Sequence, residues 1–278
     1  MRLGTTTTTT RRILSVVSSV CDPLGFAAPF TLPAKALLQD LCCKNLGWDD
    51  PISDEDLTCW RNWLDELPRL KDLKVNCCFK PINFGEVTSR QLHHFADASQ
   101  HAYGTVTYLC LTNSKDDVHC SFIIGKSRLS PLKQLTIPCL ELSAAIVAMQ
   151  LDGMVMKEIG IPVNQSIFWT DSTCVLGYIT NEDKRFHTFV ANCIATTKSP
   201  HLLSGNTLAL NRTQPTIPCV ASQLKLCCRT NVGCEDQISF GNQKMHGQTN
   251  SIRYQRLQRI TQRSRENHKC FLPTLKQG

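Results

Sequence analysis

The chain has 278 residues, a formal net charge of +7, a hydrophobic content of 42% and 16 cysteines. This length allows two ordinary domains with a substantial core, and no apolar run reaches the roughly 18 residues that a membrane-spanning helix needs. The N-terminal residues lack an apolar stretch followed by a cleavage site, so we expect a cytoplasmic protein with reduced thiols, without secretion or a disulfide framework.

The positive charge is concentrated in the last part of the sequence. Residues 241–278 contain eight Lys or Arg residues and one acid, whereas the first 240 residues carry equal numbers of acids and bases. A basic segment of this kind is typical of a contact with nucleic acid, and the candidates for that contact are Arg253, Arg256 and Arg259. A solvated tail without a partner has the same composition, so this alternative stays open.

Helices are predicted over most of residues 11–84, after a Thr-rich segment at 1–10 that we expect to be disordered. Thr31 is a predicted N-cap, because Pro33 and an apolar stripe follow it. Ser53 is a second predicted N-cap, because acids and then apolar residues at helical spacing follow it. The tryptophans of this region are interpreted as core residues rather than as a base-stacking surface: Trp48, Trp60 and Trp63.

From residue 91 the apolar period becomes that of strands. The runs "QLHHFADA", "AYGTVTYLCL" and "VHCSFIIGKSRL" have short connections and predict an antiparallel meander. The stretch "IPCLELSAAIVAMQLDGMVMKEIG" then predicts a helix, "QSIFWTDS" a strand and "TCVLGYITN" another helix. The predicted order is therefore strand, strand, strand, helix, strand, helix.

Three acids stand among apolar or small residues in this part of the chain. Asp97 and Asp171 each end a predicted strand, and Glu141 lies one turn into a predicted helix. A carboxylate that is buried needs a proton, a cation or hydrogen bonds, and three converging carboxylates are compatible with a divalent metal ion. Acids at strand ends and helix starts are also common as turn and cap residues, so spacing alone leaves both interpretations open.

The sequence around these acids resembles a known family. The stretches "HHFADASQHAYGTVTYL", "IPCLELSAAIVA" and "FWTDSTCVLGYI" resemble the ribonuclease H domain of retroelement Pol polyproteins, with the acids in the order of type 1 ribonuclease H. The upstream stretch "RRILSVVSSVCDPLGFAAPFTLPAKALLQDLCCKNLGWDD" resembles the segment that joins the reverse transcriptase palm to ribonuclease H in the BEL/Pao class of LTR retrotransposons. The resemblance covers roughly residues 11–195.

The resemblance implies an α/β fold: an RNase H-like mixed five-stranded sheet with flanking helices, preceded by a mostly helical connection region. It assigns residues 11–84 to that region and 85–198 to an RNase H-like domain that is incomplete at its C-terminal end. Residues 199–278 are then a divergent basic tail, which we expect to be disordered.

The resemblance also implies a chemistry. Asp97, Glu141 and Asp171 would be the catalytic acids and would hold Mg²⁺ or Mn²⁺, as two ions in the active enzyme. The reaction would be endonucleolytic cleavage of the RNA strand of an RNA–DNA hybrid, leaving a 5′-phosphate and a 3′-hydroxyl. Ser99 and Ser172, just past two of the acids, are candidates for contacts with the hybrid, and a turn role is the alternative. Other Pol domains are further expected partners, and a virus-like particle is an expected location besides the cytoplasm.

The sequence departs from the family near its end. Family members carry a fourth acid after the third, in BEL/Pao elements within an "NPAD"-like motif, and the corresponding window here is "NRTQPTIPCVASQ", which contains no acid. Glu235 and Asp236 follow later in a context that does not match. The alternatives to an active nuclease are therefore a non-catalytic nucleic-acid-binding module and a non-functional remnant of a retroelement.

Overall fold

The computed structural model describes residues 8–75, 78–180, 188–197 and 206–210. Among them, three helices and a 3₁₀ turn precede a five-stranded mixed sheet with its own helices. The bounds are α1 Thr10–Ser19, α2 Ala28–Cys43, α3 Asp54–Glu66, the 3₁₀ turn Leu67–Asp72, β1 Val87–Ala98, β2 Ala102–Asn113, β3 Val118–Leu129, α4 Ile137–Glu158, β4 Gln165–Thr170, α5 Thr173–Thr180, α6 Thr188–Thr197 and β5 Asn206–Leu210.

The first three helices share a small core of their own. Its buried residues are Ile13, Val17, Ala34, Leu41, Ile52, Trp60 and Trp63. The rings of Trp60 and Trp63 are stacked with their centroids 5.1 Å apart, and the Trp63 indole N–H donates to the Phe30 carbonyl on α2. The core interpretation is thus confirmed for these two tryptophans and wrong for Trp48, which is 49% exposed.

The starts of α2 and α3 follow from local hydrogen bonds. Ser53 is the N-cap of α3, as predicted, and its Oγ accepts the Asp56 N–H. The N-cap predicted at Thr31 is wrong, because α2 already begins at Ala28. The Asp22 carboxylate accepts the N–H groups of Gly25 and Ala27 and orders the turn before the helix, so the N-cap is Ala27, four residues before Thr31.

The sheet has the order β3-β2-β1-β4-β5. The pairs β1–β2 and β2–β3 are antiparallel, so the predicted meander is confirmed, and the pairs β1–β4 and β4–β5 are parallel. The two parallel pairs need crossovers, which α4 provides from β3 to β4 and which α5 and α6 occupy between β4 and β5. This is the mixed five-stranded α/β architecture that the resemblance implies.

α4 covers one face of the sheet. Pro138 lies in its first turn and Gly160 follows its end with a φ of +63°, so both residues stand where helix boundaries favour them. By length and composition α4 is the one helix among the described residues that is long and apolar enough to cross a membrane, but 61% of the tested window is buried inside the fold. Packing against the sheet and against α5 and α6 therefore accounts for its apolar surface.

The two predicted domains are in direct contact. Leu24 belongs to the core between the sheet and α4, and its carbonyl accepts the Gly125 N–H of β3 at 2.8 Å. Gly25 has a φ of +83°, and a Cβ there would lie 2.1 Å from the Gly125 oxygen. The backbone around Gly25 therefore approaches β3 so closely that only glycine fits at this position. The Gln39 amide also donates to the Ser130 carbonyl.

Two domain boundaries differ between the sequence prediction and the structure. Thr9 is the N-cap of α1 and Thr10 is its first residue, so the prediction of disorder at 1–10 is wrong for these two residues, and residues 1–7 lie outside the described ranges. β5 lies within the predicted tail at 199–278 and pairs with β4 along Ser166–Thr170. A parallel neighbour satisfies backbone groups of β4 that would otherwise be left at a sheet edge, which explains why this short segment is a strand. The remaining residues of the predicted tail lie outside the described ranges.

Candidate metal centre

The sheet brings Asp97 and Asp171 to the same edge. Asp97 is the penultimate residue of β1, and Asp171 directly follows β4. These strands are parallel neighbours, with Phe95 paired to Trp169, so both acids lie two residues past the same rung of the ladder. The carboxyl ends of parallel strands meet at one edge, which is the usual ligand-binding position of such sheets.

Glu141 approaches this edge from α4. It is the fifth residue of the helix and lies on the buried side that faces the sheet. One carboxylate oxygen from each of Asp97, Glu141 and Asp171 lies within 4.8 Å of the other two. The structure therefore brings together all three acids that the sequence singles out.

The three acids differ in burial. Glu141 is 8% exposed, Asp97 is half-buried and Asp171 is exposed. The site thus has a dry side formed by α4 and an open side at Asp171. An open side is required if a large polyanion is to reach the carboxylates.

The environment of Glu141 disfavours its ionised form. Burial raises the pKa of Glu141 to about 8, with further contributions from the charges of Asp171 and Asp97, while the Ala98 backbone N–H opposes the rise. The Glu141 Oε2 atom is buried and has no hydrogen-bond partner among the described residues. A buried acceptor without a partner and two nearby carboxylates are the conditions that a cation relieves.

The donor set fits a hard divalent cation. Mg²⁺ and Mn²⁺ bind carboxylate oxygens and keep part of their hydration shell, so three protein oxygens beside solvent are an appropriate set. The Oε2 atom of Glu141 supports the same assignment, because it offers a ligand atom that none of the described residues hydrogen-bonds.

The two serines next to the acids have local roles. Ser99 Oγ accepts the N–H groups of His101 and Ala102 and donates to the Ala102 carbonyl, so it closes the turn between β1 and β2. Ser172 Oγ accepts the Val175 N–H at the start of α5. These bonds favour the turn alternative, and contacts of the serines with nucleic acid remain a prediction.

Several other predicted residues lie outside the described ranges. They are the basic candidates Arg253, Arg256 and Arg259 and the later acids Glu235 and Asp236. The structure neither places them near the carboxylates nor separates them from the site.

Sequence reasoning missed a buried polar network beneath the site. His94 is fully buried on β1, with Nδ1 2.9 Å from the Thr107 Oγ1 and Nε2 3.0 Å from the Asp152 Oδ1. Ser166 Oγ donates to the same Asp152 oxygen at 2.6 Å. The available signal was an acid inside the apolar run "AMQLDGM" and a histidine on the core side of β1.

Comparison with protein families gives one match. A model described as the Pao retrotransposon-like RNaseH-like domain matches residues 9–172. No curated protein sequence matches the chain.

Comparison with solved structures gives ribonucleases H and a viral reverse transcriptase. RNase H1 from the archaeon Halobacterium salinarum is 13% identical and has a TM-score of 0.29, with coverage of 43% of this chain and 84% of that one. LC11-RNase H1, isolated from compost and solved with an RNA/DNA hybrid, is 10% identical with a TM-score of 0.28, covering 44% and 84%. A foamy viral protease-reverse transcriptase solved with double-stranded DNA is 14% identical with a TM-score of 0.40, covering 74% and 33%.

Proposed function

Because the chain belongs to the Pao retrotransposon-like RNaseH-like domain family, we propose that it is part of a retrotransposon Pol polyprotein and a metal-dependent endonuclease that cleaves the RNA strand of RNA–DNA hybrids. The observation that carries the proposal is the convergence of Asp97, Glu141 and Asp171 within 4.8 Å at one edge of the sheet. Their order along the chain is that of type 1 ribonuclease H.

The three carboxylates would hold Mg²⁺ or Mn²⁺, as two ions in the active state. The chemistry that such ions supply is the activation of a water molecule and the stabilisation of charge on the attacking and leaving oxygens of a phosphodiester. Asp97 and Glu141 provide the preorganised part of the site, since both are held on regular elements and Glu141 is buried. Asp171 is exposed and lies on the side from which the hybrid would approach.

The proposed substrate is distinguished from DNA by its 2′-hydroxyl, the group that allows a protein to recognise RNA. Ser99 and Ser172 are proposed to support the site through their local hydrogen bonds beside Asp97 and Asp171, and a contact of either serine with the hybrid stays a prediction. Other Pol domains are proposed partners, and the proposed location is the cytoplasm or a virus-like particle.

A cleavage assay tests the proposal. The purified 278-residue protein is incubated with an end-labelled RNA–DNA hybrid while Mg²⁺ or Mn²⁺ is titrated. We expect metal-dependent cutting of the RNA strand by the wild type and its loss in Asp97→Asn. The matched control is Asp116→Asn, because Asp116 is an exposed turn residue with a φ of +63°, a conformation that asparagine also accepts. Equal cleavage by wild type and Asp97→Asn would contradict the catalytic assignment.

The second candidate function is non-catalytic binding of nucleic acid. It is favoured by the eight basic residues within 241–278 and by the absence of an acid in the window "NRTQPTIPCVASQ". Binding through phosphates releases counterions, so the affinity for a hybrid would fall steeply with salt. A folded protein that binds the hybrid in this way and cuts neither strand at any metal concentration would establish this alternative over the nuclease.

A further inference from the structure

The buried network beneath the site connects all three elements that carry the acids. His94 lies on β1 with Asp97, Asp152 lies on α4 with Glu141, and Ser166 lies on β4, which leads to Asp171. The three network members are 0%, 4% and 2% exposed. Thr107 on β2 completes the network at the His94 Nδ1 atom.

Asp152 of the network and Glu141 of the site lie on the same continuous helix, so the position of one determines the position of the other. Asp152 follows Glu141 by eleven positions, which is close to three full helical turns of 3.6 residues. The two side chains therefore leave α4 on the same side, about 16 Å apart along its axis. A shift of Asp152 relative to the sheet moves Glu141 by the same amount.

The rest of the contact between α4 and the sheet is less directional than these hydrogen bonds. It is made by apolar and small side chains, among them Ala144 and Ala148 against Ala96. Apolar burial is non-directional, whereas a hydrogen bond weakens sharply when its atoms separate or lose alignment. A shift of α4 by about 1.5 Å along its axis, the rise of one residue, could keep its apolar surface buried after repacking, whereas it would carry Asp152 beyond hydrogen-bond distance of His94 and Ser166.

Stability alone explains the network poorly. A buried hydrogen-bonded polar pair commonly contributes no more to the free energy of unfolding than well-packed apolar residues of the same volume, while a buried polar group that has lost its partners is costly. Asp152 therefore penalises every arrangement of α4 except the one in which both His94 and Ser166 reach it. The network therefore selects one position of α4 relative to β1 and β4, rather than adding much to the free energy of unfolding.

We propose that His94, Asp152 and Ser166 are positioning residues, which fix the register of β1, α4 and β4 and thereby hold Asp97, Glu141 and Asp171 at metal-binding distance. The proposal rests on the proposed metal-dependent nuclease. The network itself does not touch the substrate or the metal.

Metal affinity of the folded protein tests the proposal. In the 278-residue protein, Ser166→Ala removes one donor to Asp152, and Ser166→Thr keeps a hydroxyl at the same position. By titration with Mn²⁺ in a calorimeter, we expect Ser166→Ala to raise the dissociation constant on the order of tenfold and Ser166→Thr to restore most of the affinity. The control is Thr31→Val on α2, which carries none of the three acids; Thr31 is a buried threonine whose hydroxyl donates to the Ala28 carbonyl, and its replacement should leave the affinity unchanged.

A second variant removes the whole network in favour of apolar side chains. The combination His94→Leu, Thr107→Val, Asp152→Leu and Ser166→Ala should still unfold cooperatively but bind Mn²⁺ as weakly as Ser166→Ala or more weakly. In hybrid cleavage, the metal concentration for half-maximal rate should rise while the KM for the hybrid stays constant, a split that a general loss of folded protein would not produce.

The outcomes separate the two proposals. Wild-type affinity in Ser166→Ala, together with loss of affinity in Asp97→Asn, would overturn the positioning role and leave the metal centre intact. Metal binding that is unaffected by Asp97→Asn, Glu141→Gln and Asp171→Asn would overturn the metal centre and the positioning role with it.

Discussion

The rings of Phe95 and Trp169 stack across the parallel pair β1–β4, with their centroids 6.0 Å apart and their planes 8° from parallel. The two residues occupy the same rung of the ladder, and each lies two positions before an acid of the candidate site. The stack therefore lies directly under Asp97 and Asp171, on the face of the sheet opposite α4.

Loss of this stack should lower stability and loosen the site. Phe95 is 4% exposed, so Phe95→Ala leaves a cavity and should reduce the free energy of unfolding by about 3–5 kcal/mol, and Phe95→Leu by less. Denaturant unfolding measures the difference. Phe189→Ala on α6 is the control, because Phe189 is 43% exposed and its replacement should change the free energy of unfolding only slightly. A comparable loss in both variants would contradict a particular contribution of the Phe95–Trp169 stack to stability.

Glu141 should make the metal-free protein less stable as the pH rises. Its pKa in the folded state is about 8, above the ordinary value of 4.5, so the folded state binds the proton more tightly than the unfolded state. By linkage, the stabilisation is complete below pH 4.5 and is lost as the pH rises to about 8. The Tm of the wild type in chelator should therefore fall over this range relative to that of Glu141→Gln, which stays neutral. Parallel curves for the two proteins would contradict the assignment.

Divalent metal should reverse that loss. A ligand that binds only the folded state stabilises it by about 2.7 kcal/mol at a concentration of 100 times its dissociation constant. We expect Mg²⁺ to raise the Tm of the wild type at pH 8 and to have little effect on Asp171→Asn. An equal rise of Tm in the wild type and in Asp171→Asn would indicate general screening of negative charge rather than binding at the three carboxylates.

The close approach of Gly25 to β3 predicts a sharp difference between two glycines. Gly25→Ala places a Cβ 2.1 Å from the Gly125 oxygen and forces a residue with a side chain to a φ of +83°, so it should destabilise by several times the roughly 1 kcal/mol typical of an unfavourable glycine replacement. Gly177→Ala on α5 meets nothing within 4 Å and should stabilise by about 0.5–1 kcal/mol. Thermal unfolding of both variants checks the opposite signs.

The sequence predicted the elements that depend on local patterns. The alternation of β1 to β3, the apolar length of α4 and the strand before Asp171 each follow from residues that are neighbours in the chain. The meeting of the three acids was also predictable, because parallel strands end at one edge and the family orders them in the same way.

What the sequence did not predict depends on contacts between distant residues. α2 begins at Ala28 because Asp22 supplies the acceptors, and Asp22 had no feature that marked it. The segment Asn206–Leu210 is a strand because β4 offers it a partner. The pairing of His94 with Asp152 joins residues 58 positions apart, and either residue alone reads as an isolated polar side chain in an apolar element.

The bond from the Gly125 N–H to the Leu24 carbonyl has a practical consequence. β3 is an outer strand of the sheet, so without Leu24 the Gly125 N–H would lose its partner and the apolar residues that Leu24 packs against would be more exposed. An uncovered outer strand invites pairing with another molecule. A protein shortened to begin at residue 85, where sequence reasoning places the domain boundary, should therefore self-associate and precipitate, whereas one that retains residues 20–30 should remain dispersed.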